Sequence, residues 1–212
     1  MKISEAENSR IIELFQQIRQ RQERDHEHTN FKDAPALHEM AALIRPYIAK
    51  MDEADTDTLV DLAAVCRFLG ESYQELLRGT YAAEFFTAAF FAAARNGNED
   101  EDLLHNAVKT RNWYIDDACE DLKQAACRVM DVVKAETIIA KSCKRTLKRD
   151  PVEMTPEYLA VIDEVEKKVA ENMTTHGRGS CHERWSLTRE YLEEKGIQWR
   201  SQGVMNPGWR FD

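Results

Sequence analysis

Two consecutive helical patterns that meet at Gly79 most strongly limit how this chain can fold. Over residues 58–95, apolar or small side chains recur every three or four positions, as with Leu69 and Tyr73 before the glycine and Phe86 after it. This spacing places them on one face of each helix and predicts a helical hairpin. Because the hairpin has apolar faces to bury, we expect it to pack against further helices.

The composition agrees with a helical protein. The chain has 212 residues with only 8 glycines and 5 prolines, and 43% of the residues are hydrophobic and 32% charged. Such values are typical of a folded helical chain that can bury a sizeable core. We expect an all-α fold of antiparallel helical hairpins, stacked as a short repeat array or as an irregular bundle, with an extended C-terminal tail.

The helical patterns fit one domain over residues 1–212. Its parts are an N-terminal helix (1–30), a body of helical hairpins (33–148), and C-terminal helices with an aromatic tail (155–212). The last part begins at Thr155, and the proline that follows it is typical of the first position of a helix.

The body of helical hairpins must contain breaks between its helices. Residues 100–148 contain neither glycine nor proline, yet an unbroken helix of that length would be unusual. We expect breaks near residues 116–117 and 134–137. Pro46 should kink or split the helix that contains it, because proline removes a backbone donor.

The C-terminal part has its own start and stop signals. Ser180 followed by Glu183 predicts a capping box, and Gly196 suits a left-handed helix end. From Ile197 onward no helix signal occurs, so we expect an extended tail that docks onto the helices through its large aromatic side chains. These are Trp199, Trp209 and Phe211.

The hairpin over residues 58–95 resembles a single tetratricopeptide repeat. That family carries a Leu-Gly pair and a Tyr on its first helix, and Ala, Phe and Ala at close-packing positions on its second. Cys66 stands where the family has Trp, Ala94 stands where it has Pro, and we find no second good copy of the repeat. The matching residues are Leu69, Gly70, Tyr73, Ala82, Phe86 and Ala89.

The resemblance implies a groove lined by first helices that binds another protein or a peptide. Exposed positions on the first helix of this hairpin, namely Arg67, Glu71 and Gln74, are then candidate partner contacts.

A glycine-containing loop at residues 176–180 precedes the last long helical pattern. Free amides at a helix start, glycines that admit an anion and a nearby cation together make an anion site. His176, Arg178 and Ser180 are the candidate ligands. An ordinary turn between helices is the favoured interpretation, since the Lys-Ser or Lys-Thr of a phosphate-binding loop is missing.

Cys181 and His182 follow in the first helical turn, a setting that can activate a thiol. They are candidates for a reactive cysteine, or for a zinc site together with His176. Catalysis also needs an orienting acid and an oxyanion site, which no motif supplies. Adjacent helical residues point apart and therefore suit a shared metal poorly. We expect no catalytic residue, metal or cofactor.

A basic stripe recurs at three- and four-residue intervals: Lys141, Lys144, Arg145, Lys148 and Arg149. On one continuous helix these charges would share a face that could bind phosphates or an acidic partner. The formal net charge of -9 favours a solvated face instead and makes nucleic acid an unlikely partner.

The cysteines and the apolar runs indicate a compartment. Five cysteines with irregular spacing and no CxxC pair argue against a disulfide framework. No secretory pattern begins the sequence, and the longest near-apolar run, residues 81–94, is too short to span a bilayer. We expect a cytoplasmic protein with no membrane partner.

These observations favour a helical scaffold or adaptor that binds a protein or peptide and has no catalytic role. One alternative is a small enzyme or ligand-binding protein whose site is the 176–182 loop, closed over by the aromatic tail. Another is a nucleic-acid-associated regulator that uses the basic helix 141–149. The sequence indicates neither the partner, the process nor the oligomeric state.

Overall fold

The structure is a computed structural model that describes residues 2–24, 30–114, 119–143, 147–175, 177 and 179–211. These residues form helices and no strand, which confirms the all-α prediction. None of the described helices combines the length and apolarity needed to cross a bilayer. The chain forms two compact units, unit 1 (Met1–Asn112 and Asp116–Lys144) and unit 2 (Trp113–Ile115 and Arg145–Asp212). The organisation as one domain stays a prediction.

Unit 1 is built from the helices α1 (Glu5–Arg24), α2 (Ala34–Ala49), α3 (Thr56–Glu75), α4 (Gly79–Arg95), α5 (Glu101–Arg111), α6 (Glu120–Ala126) and α7 (Val132–Ser142). Up to α5 these helices pack on their neighbours in the chain, since α2 packs on α1 and α3, and α4 packs on α3 and α5. Helix α7 packs on α6 and also on α5.

The predicted hairpin is α3 with α4, and its centre is a close approach of two helices. A Cβ atom added to Gly70 would lie 2.8 Å from Cδ1 of Phe86, so only glycine lets this ring reach the backbone of α3. The Phe86 side chain is fully buried. The turn itself depends on Leu77, which adopts a left-handed φ of 57°, while the Arg78 amide donates to the Tyr73 carbonyl at 2.8 Å. This is a Schellman-type helix end with leucine in the usual glycine position.

The predicted helix boundaries are partly wrong. The break expected at residues 134–137 lies instead at residues 127–131, because the Asp131 carboxylate accepts from the Lys134 amide at 2.9 Å and caps α7. The break expected at 116–117 lies outside the described residues. Helix α2 continues through Pro46 without a split.

Polar contacts attach α2 to the hairpin. His38 Nδ1 lies 2.8 Å from the buried Tyr73 hydroxyl. The Arg45 guanidinium pairs with Glu84 at 2.8 Å and lies over the Tyr81 ring at 5.4 Å from its centroid. These contacts orient α2 against both helices of the hairpin.

Unit 2 contains α8 (Pro156–Asn172), α9 (Ser180–Glu194) and the short α10 (Gln202–Met205). Thr155 caps α8 as predicted, by accepting from the Tyr158 amide at 3.2 Å. Gly196 has a φ of 77° and ends α9 as predicted. The apolar core of this unit consists of Tyr158, Ile162, Val165, Val169, Leu192, Ile197 and Trp199.

The C-terminal segment is held in unit 2 by buried polar groups. The Glu153 carboxylate accepts from Trp199 Nε1 at 2.7 Å and from Arg149 Nε at 2.6 Å, and all three side chains are buried. The Asn206 amide donates to the Lys148 carbonyl at 2.7 Å, and its oxygen accepts from the Lys148 amide at 2.8 Å. These contacts fix two points of the segment.

The prediction of a tail without helix is wrong over α10. Ser201 caps this turn by accepting from the Val204 amide at 3.4 Å. Docking is confirmed for Trp199, and the Phe211 ring packs edge-on against Trp185 at 5.1 Å. The third aromatic, Trp209, remains 52% exposed.

Candidate functional site

The 176–180 loop is described only in part. Its two glycines adopt left-handed φ values, 84° at Gly177 and 83° at Gly179, and Ser180 begins α9. Two of the predicted anion ligands, His176 and Arg178, lie outside the described residues, so the anion site stays a prediction.

The capping box predicted from Ser180 and Glu183 is wrong. Gly179 occupies the cap position of α9, and the Glu183 carboxylate reaches back to the preceding loop. It accepts from the Thr174 hydroxyl at 2.7 Å, the Thr174 amide at 3.0 Å and the Thr175 amide at 2.6 Å. These hydrogen bonds, first those of Thr174 and then those of Thr175, lower the pKa of Glu183 to about 2. Glu183 therefore connects the Thr174–Thr175 segment to α9 by hydrogen bonds.

Cys181 and His182 lie in the first turn of α9 as predicted, but the structure does not bring them together into a site. The Cys181 side chain is half-buried, whereas His182 is exposed and packs edge-on against Trp185 at 5.3 Å. Over the described ranges, no three His, Cys, Asp or Glu side chains cluster as metal ligands would.

The basic stripe does not lie on one helix. Helix α7 ends at Ser142, so Lys141 is helical and Lys148 is not, while Lys144 and Arg145 lie outside the described residues. Arg149 is buried against Glu153 and cannot face solvent. The predicted single-face arrangement is therefore wrong, because α7 ends at Ser142 and Arg149 is held in the interior by its ion pair with Glu153.

The candidate partner contacts on α3 differ in their surroundings. Arg67 forms an ion pair with Asp100, Glu71 is exposed and Gln74 is half-buried. The structure places them along the later turns of α3, and their role in partner binding stays a prediction.

An open apolar groove lies at the earlier turns of α3, and we call it the α1–α3 groove. It has a volume of about 440 Å³, and Met40 of α2 contributes to its lining between the two outer helices. Helix α1 contributes Asn8, Ile11, Ile12, Phe15 and Gln16, with Ile3 before it, and α3 contributes Asp61, Ala64, Val65 and Phe68.

The groove is closed on one side and open on the other. The Phe15 and Phe68 rings meet edge-on with centroids 4.7 Å apart and join α1 to α3. Ile11 and Met40 are buried, whereas the Ile12 side chain is 49% exposed. The groove therefore leaves part of its apolar lining in contact with solvent.

A second cavity lies within unit 2, between α9 and the C-terminal segment. We call it the α9 cavity, and its volume is about 550 Å³. Helix α9 lines it with His182, Trp185, Ser186 and Arg189, and the C-terminal segment with Ser201, Gly203, Val204, Trp209, Arg210 and Phe211.

Sequence reasoning missed most of the residues that line these two spaces. Ile12 lies beside the stripe of Ile11 and Phe15 and widens it beyond what one buried face needs, which is a signal the pattern could have given. Arg189 recurs four residues after Trp185, but nothing in the sequence shows that the C-terminal segment returns to this face.

Comparison of the chain with protein-family models, curated proteins and solved structures finds no match.

Proposed function

We propose that this protein binds other proteins, and that the α1–α3 groove receives an amphipathic helix with a basic edge. The observation that carries the proposal is the open apolar lining from three helices, in which Ile12 keeps 49% of its surface exposed. Covering such a surface with an apolar partner face contributes favourable burial energy.

The shape of the groove favours a helix as the occupant. Its residues on α1 and α3 follow spacings of three, four and seven, so each helix presents one continuous row. Both rows flank α2, which leaves a position where one more helix can complete the packing. Helix-in-groove recognition uses apolar anchors at the same spacing.

The charge of the lining favours a basic edge. Asp61 supplies the only charge among the described lining residues, and the chain carries a formal net charge of -9. Asn8 and Gln16 add neutral hydrogen-bonding groups on the opposite wall. Lysine or arginine beside the apolar anchors would therefore pair with Asp61, whereas acidic residues would be repelled.

The tetratricopeptide resemblance belongs to this proposal. What supports it is that α3, the first helix of the hairpin, forms one wall of the groove, as first helices do in that family. Glu71 and Gln74 lie further along the same helix and would extend the contact for a longer partner.

We also propose a reducing compartment such as the cytoplasm for this activity. What supports it is that none of the five cysteines, all of which the structure describes, forms a disulfide, not even the exposed Cys143.

The test is a titration with two synthetic helical peptides that share leucine anchors at three- and four-residue spacing. One carries lysine along one edge and the other carries glutamate. We expect the lysine peptide to bind with a dissociation constant of about 1 μM, and Ile12→Arg to weaken it by about tenfold or more. The matched control is Val133→Arg, since Val133 is 71% exposed on α7 and lies outside the groove.

Fluorescence anisotropy gives the affinities, and the melting temperature of each variant checks its fold. Equal affinity for the two peptides, or no effect of Ile12→Arg, would contradict the proposal. Analytical sedimentation tests a further outcome. A homodimer that dissociates in the Ile12→Arg variant would contradict the proposal, because a second copy of the chain would then occupy the groove.

A further inference from the structure

The α9 cavity combines flat aromatic surfaces with cations and so differs in chemistry from the α1–α3 groove. Three of its lining residues are aromatic rings, Trp185, Trp209 and Phe211. Trp209 is 52% exposed, although tryptophan side chains are on average highly buried. Its volume of about 550 Å³ lies within the usual range for small-ligand sites, which is roughly 300–1,000 Å³.

Trp185 is held in a fixed position on the cavity wall. A Cβ atom added to Gly203 would lie 2.9 Å from Cζ3 of Trp185, so the backbone of α10 rests directly on the indole. The His182 and Phe211 rings meet the indole edge-on, with centroids 5.3 and 5.1 Å away. A ring fixed in this way loses little conformational freedom when a flat ligand packs against it.

The charges of the lining are all positive. Arg189 and Arg210 line the cavity, are exposed and make no ion pair within the part of the chain that the structure describes. No acidic side chain belongs to the described lining. Guanidinium groups recognise carboxylate and phosphate through paired hydrogen bonds.

Two hydroxyls add donors beside these cations. Ser201 Oγ accepts from the Val204 amide, which leaves its proton free to donate, and Ser186 is exposed on α9. Two guanidinium groups and two hydroxyls offer more donors than a carboxylate can accept. A phosphate monoester has three acceptor oxygens and a charge of about -2, and it uses this donor set better.

We propose that the α9 cavity binds a small phosphate monoester with a flat ring, of the nucleoside monophosphate class. The base packs against the aromatic residues, as bases stack on such side chains in nucleic-acid-binding proteins. The phosphate lies between Arg189 and Arg210. This site is independent of the α1–α3 groove and of the protein-binding function proposed for it.

The test is calorimetric titration of the full chain with adenosine 5′-monophosphate, adenosine and inorganic phosphate in parallel. We expect the nucleotide to bind about tenfold or more tightly than either of its parts, because only the nucleotide uses rings and cations together. Arg189→Gln and Arg210→Gln should each weaken nucleotide binding about tenfold. Arg184→Gln is the matched control, since Arg184 lies on α9 but outside the lining.

A second variant separates the ring from the charge. Trp209→Leu changes an exposed side chain, so the fold persists, and it should weaken nucleotide binding while leaving phosphate binding unchanged. The absence of saturable nucleotide binding would overturn the proposal. So would inorganic phosphate or benzoate binding with the same affinity as the nucleotide. A higher affinity for single-stranded oligothymidylate that depends on the same arginines would also overturn it.

Discussion

The two units of this protein differ in how much apolar core they contain. Unit 1 has the larger apolar core, in which helices approach closely, as Gly70 allows for Phe86, and it also holds an ion pair between Arg21 and the buried Asp33. Unit 2 has a smaller apolar core and a buried carboxylate, Glu153, that is shared by Arg149 and Trp199.

The difference extends to the surfaces that the units offer. The α1–α3 groove of unit 1 is apolar with one acidic side chain, whereas the α9 cavity of unit 2 is aromatic with two arginines. The proposed ligands therefore carry opposite charges.

The largest expected effect tests the apolar core of unit 1. Phe86→Ala should lower the free energy of unfolding by about 3–5 kcal/mol, because Phe86 is fully buried and its removal leaves a cavity against α3. Denaturant titration followed by circular dichroism measures it, with the exposed Val133→Ala as control. A loss below about 1 kcal/mol would place Phe86 outside the core and remove the contrast.

The next effect tests the polar core of unit 2. Glu153→Gln keeps the side-chain shape but removes the charge that Arg149 pairs with, and it should cost about 1.5–3 kcal/mol. Glu157→Gln, on an exposed position of α8, should cost about 0.5 kcal/mol or less. Similar losses in the two variants would show that the buried ion pair adds no stability to unit 2.

A smaller effect of opposite sign is expected at the α3–α4 turn. Leu77 holds a left-handed φ of 57° with 43% of its surface exposed, so Leu77→Gly should raise the free energy of unfolding by about 0.5–1 kcal/mol. Leu77→Ala is the matched control because alanine keeps the Cβ atom that disfavours this conformation. A gain in stability for alanine as large as for glycine would exclude backbone strain as the cause.

The smallest effect concerns acid stability of the loop before α9. The pKa of Glu183 is lowered from 4.5 to about 2, so its carboxylate stabilises the fold above pH 4.5. That contribution declines as the pH falls towards about 2 and is absent below it. Wild type should therefore melt at a higher temperature than Glu183→Gln at neutral pH, and the difference should vanish towards pH 2.

Glu190→Gln is the control for this pH series, since Glu190 is an exposed carboxylate on the same helix. If the difference in melting temperature between wild type and Glu183→Gln stays constant across the pH range, the carboxylate charge does not stabilise the loop.

The sequence predicts unit 1 better than unit 2 for a physical reason. The periodicity around Leu69 and Phe86 records burial directly, so the hairpin could be predicted. The pairing of Arg149 with Glu153 and of Asn206 with Lys148 depends on the path of the chain, which no local pattern records. For that reason the sequence predicts a solvated position for Arg149, although its side chain is buried.

One side-chain cap can also decide where a helix begins, and the cap from Asp131 starts α7 before the break that we expect at residues 134–137.

The two candidate surfaces differ in how far the sequence predicts them. Ile12 could be recognised as one apolar residue too many on α1. The α9 cavity could not, since Gly203 meets Trp185 only once the C-terminal segment is folded back.

The most direct test of separate sites on the two units is amide NMR mapping of both proposed ligands on one sample. We expect the basic helical peptide to shift amides of α1 and α3, and adenosine 5′-monophosphate to shift amides of α9 and the C-terminal segment. Shifts from both ligands at the same site, or from neither ligand at its assigned site, would contradict the claim that the units carry separate sites of opposite charge preference.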